Sequence, residues 1–165
     1  MDYFEKTELN FMAKKSFNQQ LQDSRDMPKI SEITDPKAIT MYGGTKLLIA
    51  PPLAYDEIMK KVPKGKVITS DYMRSYLAKK YGADNTCPLT AGIFINIAAK
   101  ASVERGIDET PYWRTLKKDG ELNVKYPEGI DGQKLHLEIE GHTIIQKGKK
   151  YFVKDYKDCF FELKE

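Results

Sequence analysis

The chain has 165 residues, a formal net charge of +3, 41% hydrophobic residues and 31% charged residues. These values predict a globular chain that can bury one sizeable core. No apolar run reaches the roughly 18 residues that a bilayer-spanning helix needs, and no secretory leader is expected. Two cysteines, Cys87 and Cys159, exclude a disulfide framework and favour the cytoplasm. His136 and His142 are too few and too scattered for a metal site, and no cofactor is predicted.

Residues 1–45 are predicted to form an N-terminal extension that packs on a main body of residues 46–165. The apolar residues between Phe4 and Gln22 recur with weak helical spacing. Pro28 and Pro36 are expected to stop any continuation of that helix. Residues 41–44 read as a loop, and residues 46–50 form a short apolar run.

Three helices are predicted in the first half of the main body. The first begins at Pro52 and ends before the turn at residues 63–66. The second is capped by Thr69 or Ser70 and stops at Gly82. The third begins near residues 86–88 and stops at Gly106. Its apolar stripe consists of Leu89, Ile93, Ile97 and Ala101.

The second half of the main body is predicted to contain two hairpins and one helix. Residues 113–116 and 121–124 flank a Lys-Asp-Gly turn, which is a hairpin signal. Residues 131–140 indicate a helix, residues 143–145 and 151–153 indicate a terminal hairpin, and Phe160-Phe161 is expected to pack against that hairpin. The predicted fold class is mainly α with small β elements: a winged helix-turn-helix followed by a terminal β-hairpin.

Several short segments between residues 52 and 142 follow one another in a distinctive order. They are Ile58 to Thr69 with its Pro-x-Gly turn, then Pro111-Tyr112-Trp113-Arg114, then Asp119-Gly120-x-Leu122, and finally Gly129, Gln133, Lys134, Leu137, Glu138, Glu140 and Gly141. Together they resemble the DNA-binding domain of the alkylguanine-DNA alkyltransferase family, the methylated-DNA–protein-cysteine methyltransferases. The resemblance implies a winged-helix fold and a double-stranded DNA partner.

The chain departs from that family at the reacting residues. Tyr112 stands where the family has its catalytic cysteine, and Trp113 where it has the activating histidine. The family's reaction needs a thiolate activated by a neighbouring base, whereas an ordinary phenol with a pKa near 10 stays protonated at neutral pH. The motif Pro111, Tyr112, Trp113, Arg114 is therefore degenerate, with no catalytic residue. The chain is more similar to the alkyltransferase-like branch, which lacks the cysteine and binds alkylated DNA without repairing it.

The resemblance also implies which residues contact DNA. The predicted DNA-binding residues are Lys64, Lys66, Thr69, Ser70, Tyr72, Thr90 and Gly92, and the predicted base pocket consists of Tyr112, Trp113 and Arg114. Arg114 is expected mainly to brace the site, and Glu138 resembles the glutamate that orients the family's histidine. Residues 89–93 contain no counterpart of the family's base-replacing arginine.

Three functions are compatible with this sequence. The first is recognition of alkylated guanine in DNA for repair without alkyl transfer, with a repair protein as a further partner and no membrane association. The second is an active methyltransferase whose acceptor is Cys87 or Tyr112. The third is a protein-interaction module that has kept the fold and lost DNA binding, which the mild net charge favours.

Overall fold

The computed structural model describes residues 15–106 and 109–164. The helical pattern predicted from Phe4 onward therefore lies largely outside the described residues. Within the described ranges, no helix has the length and apolar character needed to cross a membrane.

Six α-helices occur in the described part of the chain. They are α1 (Phe17–Gln22), α2 (Pro36–Tyr42), α3 (Pro52–Lys61), α4 (Ser70–Tyr81), α5 (Pro88–Arg105) and α6 (Gly129–Ile139). Proline occupies the first turn of α3 and α5, where its missing N–H costs no hydrogen bond. Gly82 and Gly106 end α4 and α5 in the left-handed conformation, as predicted. Thr69 precedes α4, but its side chain makes no capping hydrogen bond, so that predicted cap is wrong.

Short strands between the helices pair to form three small sheets. The strands are β1 (Lys29–Glu32), β2 (Lys46–Ile49), β3 (Ile68–Thr69), β4 (Asn85–Thr86), β5 (Thr115–Leu116), β6 (Ile144–Lys147) and β7 (Lys150–Val153). β2 lies between β1, which is antiparallel to it, and β4, which is parallel. β3 and β5 pair in parallel. The terminal hairpin is confirmed as β6 antiparallel to β7, and α6 confirms the helix predicted over 131–140.

The predicted N-terminal extension is more ordered than its composition indicated. Pro36 begins α2 rather than breaking a helix, and β1 pairs with β2 of the predicted main body. The carboxylate of Glu104, near the end of α5, accepts hydrogen bonds from the backbone N–H groups of Phe17 and Asn18 at 3.0 and 3.1 Å. This contact satisfies free N–H groups at the start of α1 and ties it to α5.

The hairpin predicted around the Lys-Asp-Gly turn is wrong. Residues Tyr112–Arg114 and Lys118–Gly120 form 3₁₀ turns, and the short strand between them pairs with β3 instead of with residues 121–124. Glu121 bridges to Phe152 of β7. Each arm of the expected hairpin therefore hydrogen-bonds to a segment distant in sequence, which a local turn signal cannot indicate.

Two hydrophobic clusters form the core, and Trp113 packs against both of them. The larger cluster includes Tyr55, Met59, Met73 and Ile95, and the smaller is built around Leu116, Leu122, Leu137 and Val153. Phe160 packs its ring edge-on against Tyr72 at 4.9 Å rather than against the terminal hairpin as predicted.

Only part of the predicted stripe on α5 faces the core: Ala101 is buried and Ile97 packs against the larger cluster. Ala91, Ile95, Ala98 and Ala99 are buried, whereas Leu89 and Ile93 are 73% and 48% exposed. Small residues bring α5 close to its neighbours, and its larger aliphatic side chains at the N-terminal end point to solvent.

Candidate DNA-binding groove

A groove of about 420 Å³ lies between the N-terminal half of α5, the start of α4 and residues 116–126. Its lining consists of Ser70, Arg74, Pro88, Leu89, Ala91, Gly92, Ile93, Ile95, Asn96, Leu116, Lys117, Lys118, Asn123, Val124, Lys125 and Tyr126. We call this surface the α5 groove. It places one helix face opposite a basic loop, in the position that a helix-turn-helix presents to DNA.

The charges that line the α5 groove have a single sign. Arg74, Lys117, Lys118 and Lys125 contribute four cations, and none of the lining residues is acidic. Lys117 and Lys118 are exposed. A concave surface that carries cations without carboxylates attracts a polyanion and concentrates it by its field.

The same groove has an apolar ridge. Leu89, Ile93 and Val124 are 73%, 48% and 64% exposed. Gly92 lies between the first two, and a Cβ placed there would meet no atom within 4 Å, so that stretch of α5 is open to close approach by a ligand. Apolar side chains presented between cations are suited to contact bases as well as phosphates.

Two of the predicted DNA-binding residues, Ser70 and Gly92, line the α5 groove. The side chains missed by the sequence prediction are Arg74, Asn96, Lys117, Lys118, Asn123 and Lys125. The adjacent lysines beside the Asp-Gly turn were the available signal for the basic loop. Nothing local indicated that this loop faces α5.

The other predicted contacts lie elsewhere. Thr69 is buried, and the hydroxyl of Thr90 donates to the carbonyl of Cys87 at 3.4 Å. The Tyr72 hydroxyl accepts a hydrogen bond from the backbone N–H of Leu163 at 2.9 Å, so Tyr72 is engaged by the C-terminal segment. Lys64 and Lys66 are exposed on the bend between α3 and β3, outside the lining of the groove.

Of the residues predicted to form a base pocket, Tyr112 is buried in the core, whereas Trp113 and Arg114 are half-buried against it. Tyr112 is only 4% exposed, and its ring meets those of Trp113 and Tyr126 edge-on at 5.4 and 5.2 Å. None of the three predicted pocket residues lines the α5 groove. Tyr126, which does line it, is the aromatic side chain that links the groove to this buried cluster.

The phenol of Tyr112 is held in its protonated form. Burial raises its pKa above the ordinary value, and the nearby carboxylates of Glu128 and Glu109 raise it further. A protonated phenol is a poor nucleophile. Tyr112 therefore lacks the activation that an alkyl acceptor would need.

Trp113 stacks on His136, with ring centroids 4.1 Å apart and an interplanar angle of 13°. Its indole N–H is buried and makes no hydrogen bond of good geometry, although it is near enough to the Glu140 carboxylate to help lower that group's pKa. Arg114 covers Trp113 at 5.5 Å from the ring centroid. Trp113 is thus packed between α6 and the core.

Arg114 braces the motif through Glu140. Its guanidinium donates to both carboxylate oxygens at 2.6 to 3.1 Å and to the backbone carbonyl of Val62 at 2.8 Å. Burial acts to raise the pKa of Glu140, but the hydrogen bonds and charge of Arg114, together with hydrogen bonding from Trp113 and the backbone of Gly65, outweigh it, so the pKa lies below its ordinary value. The predicted bracing role of Arg114 is confirmed. Glu138, which the resemblance placed beside residue 113, is exposed, and Glu140 takes that position.

A chain of amide groups connects the motif to the α5 groove. The buried Gln133 donates from Nε2 to the carbonyl of Trp113 at 3.1 Å and accepts at Oε1 from the backbone N–H of Asn123 at 2.8 Å. Asn123 in turn donates from Nδ2 to Asn96 of α5 at 3.0 Å. The degenerate motif therefore positions the wall of the groove.

The two thiols lie away from the groove. Cys87 precedes α5 without lining the groove, although its neighbour Pro88 does. Cys159 lies 3.7 Å from Nδ1 of His142 in a separate cavity behind the bend at Gly65. Burial raises the pKa of the Cys159 thiol and lowers the pKa of His142, so both groups are neutral near pH 7. Within the described residues, no group of three or more His, Cys, Asp or Glu side chains could hold a metal ion.

Comparison with known proteins identifies the fold. No protein-family model and no curated protein matches the chain. A crystal structure of S. pombe ATL in complex with DNA is similar, with 18% sequence identity and a TM-score of 0.52, covering 68% of this chain and 94% of that chain. A structure of S. pombe Atl1 in complex with damaged DNA containing O6-carboxymethylguanine has the same identity and coverage and a TM-score of 0.49. The first similarity confirms the predicted fold class, a mainly helical domain with small sheets that shares the fold of S. pombe ATL.

Proposed function

We propose that this protein binds double-stranded DNA in the α5 groove and recognises alkylated guanine for repair without accepting the alkyl group. The observation that carries the proposal is the lining of the groove, four cations with no carboxylate around exposed aliphatic side chains. The fold shared with S. pombe ATL, whose structure contains DNA, supports the same ligand. The resemblance of residues 52–142 to the alkyltransferase family supports alkylated guanine as the lesion that is recognised.

Recognition would proceed by turning the target base out of the duplex into the groove. Extrusion costs a few kcal/mol of stacking, which contacts in the complex must offset. Leu89 and Ile93, rather than an arginine, are placed to occupy the vacated space, and apolar side chains serve as such wedges in other proteins. Lys118 and Lys125 would contact phosphates on either side.

Alkyl transfer is not part of the proposal. It would require a thiolate or another activated nucleophile at the bound base. The buried, protonated phenol of Tyr112 lies beneath the groove, and Cys87 lies outside its lining. The bound complex would therefore mark the lesion for a separate repair protein, in a reducing compartment such as the cytoplasm where both free cysteines persist.

Fluorescence anisotropy with two labelled duplexes tests this function. The duplexes are identical except for one guanine, which carries an O6-methyl group in one of them. We expect binding to both, tighter binding to the alkylated duplex, and an affinity that falls linearly on a logarithmic scale with salt concentration. The absence of binding to either duplex at low salt would refute the proposal.

Intact mass spectrometry separates recognition from transfer. After incubation with the alkylated duplex, the mass of the protein should stay unchanged. A gain of one methyl group, mapped to Cys87 or Tyr112, would establish the methyltransferase instead. Cys87→Ser provides the matched control, because it removes the thiol that precedes α5 and leaves the lining of the groove intact.

A further inference from the structure

We propose that the terminal hairpin of β6 and β7 is a second DNA-contacting surface, which binds backbone phosphates beyond the α5 groove. This inference rests on the proposed function, because it assigns further contacts to the same duplex. The hairpin lies outside the groove lining, and no part of the site described above uses it.

The register of the hairpin gives it two different faces. Ile144 pairs with Val153, and Tyr151 lies two residues before Val153 on the same side; all three pack against the smaller core cluster. Side chains alternate across a strand, so the paired residues Ile145–Phe152 and Lys147–Lys150 share the opposite face. Lys147 accordingly extends over the Phe152 ring, with Nζ 5.5 Å from the centroid.

This outer face is rich in positive charge. Residues 143–154 contain four lysines and no acidic residue. Lys147 and Lys150 are direct cross-strand partners, and like charges in that position repel each other. Both are exposed, as is Lys149 in the turn between the strands. An anion bound over this face would relieve the repulsion.

Hydrogen bonds and ion pairs join the hairpin to the basic loop of the α5 groove. The backbone N–H of Leu122 donates to the carbonyl of Tyr151 at 2.8 Å, and Glu121 bridges to Phe152. One carboxylate oxygen of Glu121 lies 4.0 Å from Nζ of Lys117, a groove residue, and 3.9 Å from Nζ of Lys150. The basic surface therefore continues from the groove onto the hairpin, and the Glu121 carboxylate lies at the junction.

A DNA backbone suits this arrangement, because it offers a series of phosphates to cations on both the hairpin and the adjoining loop. The cations occur on a rigid strand pair and on the adjoining loop, and they include a groove lysine that would already contact the duplex. A DNA backbone that leaves the groove along this surface would meet Lys117 and then Lys150 and Lys147. Its phosphates would compete with the Glu121 carboxylate for the first two ammonium groups.

The salt dependence of DNA binding tests the hairpin. Each phosphate contact contributes about 0.9 to the slope of log affinity against log salt. Lys147→Gln with Lys150→Gln should therefore reduce the slope by about 1.8 and weaken binding equally for plain and alkylated duplexes. The matched control is Lys29→Gln with Lys37→Gln, which removes the same charge from exposed positions in β1 and α2.

Glu121→Gln tests the same surface in the opposite direction, because it should strengthen DNA binding instead of weakening it. It removes the one carboxylate shared by Lys117 and Lys150 and keeps the shape of the side chain. We expect tighter DNA binding and a steeper salt slope.

The outcomes separate the two proposals. If the Lys147/Lys150 variant has the same salt slope as the wild type, the hairpin is not a DNA contact. The proposed binding in the α5 groove would still stand. A slope lowered equally by the Lys29/Lys37 control would also overturn it, because the effect would then be one of total charge. No wild-type binding at any salt concentration would overturn both.

Discussion

The degenerate motif at residues 111–114 and the α5 groove lie next to each other but have opposite physical character. In the motif, Tyr112 is only 4% exposed, Trp113 is half-buried, and Arg114 forms an ion pair with Glu140. The groove is open, and its lining has four cations with no carboxylate. Residues 111–114 thus serve as a structural support, while the neighbouring surface has the features of a ligand site. The difference can be tested because stability and DNA affinity should respond to different residues.

The largest effect is expected at Arg114. Arg114→Ala leaves the Glu140 carboxylate, whose side chain is 5% exposed, without its partner. Breaking a buried ion pair in this way costs about 3–5 kcal/mol of the free energy of unfolding. Urea denaturation measures it, with Arg25→Ala as a control, since the pair of Arg25 with Asp23 is exposed and contributes about 0–1 kcal/mol. Equal effects of both changes would show that the motif is not the structural support.

The amide chain from the motif to the groove should give the next largest effect. Gln133→Leu leaves the carbonyl of Trp113 and the backbone N–H of Asn123 without their partners, at a cost of about 1–3 kcal/mol. DNA affinity should fall as well, because Asn123 then loses its position in the groove wall. Urea denaturation and anisotropy measure the two effects. Gln22→Leu at the exposed end of α1 should change neither stability nor DNA affinity, and a neutral Gln133→Leu would contradict the proposed coupling.

Groove cations should affect binding alone. Lys118→Gln with Lys125→Gln should reduce the salt slope by about 1.8, as expected for two phosphate contacts. The free energy of unfolding should stay within about 0.5 kcal/mol of the wild type, as for most surface substitutions. Anisotropy over a salt series, beside the Lys29/Lys37 control, provides the measurement. A slope unchanged by the groove variant would place the DNA elsewhere.

Acid should weaken the motif before it affects the groove. The pKa of Glu140 is lower in the folded protein than its ordinary value of 4.5, so the folded state binds fewer protons in that range than the unfolded chain. The stabilisation by Glu140 is present above the ordinary pKa and is lost as pH falls through the lowered one. When urea unfolding is measured over a series from neutral to acidic pH, the midpoint should decline less steeply for Glu140→Gln than for the wild type. Parallel declines would show that other carboxylates dominate.

The smallest effect on stability is expected on the outer face of α5. Leu89→Gln replaces a side chain that is 73% exposed and should change the free energy of unfolding by less than about 0.5 kcal/mol. Ile95→Ala on the buried face should cost about 2–5 kcal/mol. Thermal and urea unfolding distinguish the two faces. A large loss from Leu89→Gln would mean that the helix packs differently, and the groove would not exist as described.

The sequence by itself determined the features that act within one helical turn. Prolines in the first turns of α3 and α5 and the left-handed glycines after α4 and α5 set the helix bounds. Tyr112 and Trp113 stand where the alkyltransferase family that the sequence resembles has cysteine and histidine, which predicted that the family's reaction is absent. The alternation and turn of the terminal hairpin were equally local, and the structure confirmed them. Each depends on backbone preferences or residue chemistry that neighbouring residues express directly.

Only the tertiary structure decided which residues each side chain contacts. Leu89 and Ile93 point to solvent because Ala91, Ile95 and Ala98 occupy the face of α5 that packs against the core. β5 pairs with β3, 47 residues earlier in the register Ile68–Thr115, so the expected hairpin did not form. Arg114 pairs with Glu140, directly after α6, and no local pattern indicated that these two residues meet. Burial and pairing depend on contacts between distant segments, and local sequence patterns carry no information about which segments meet.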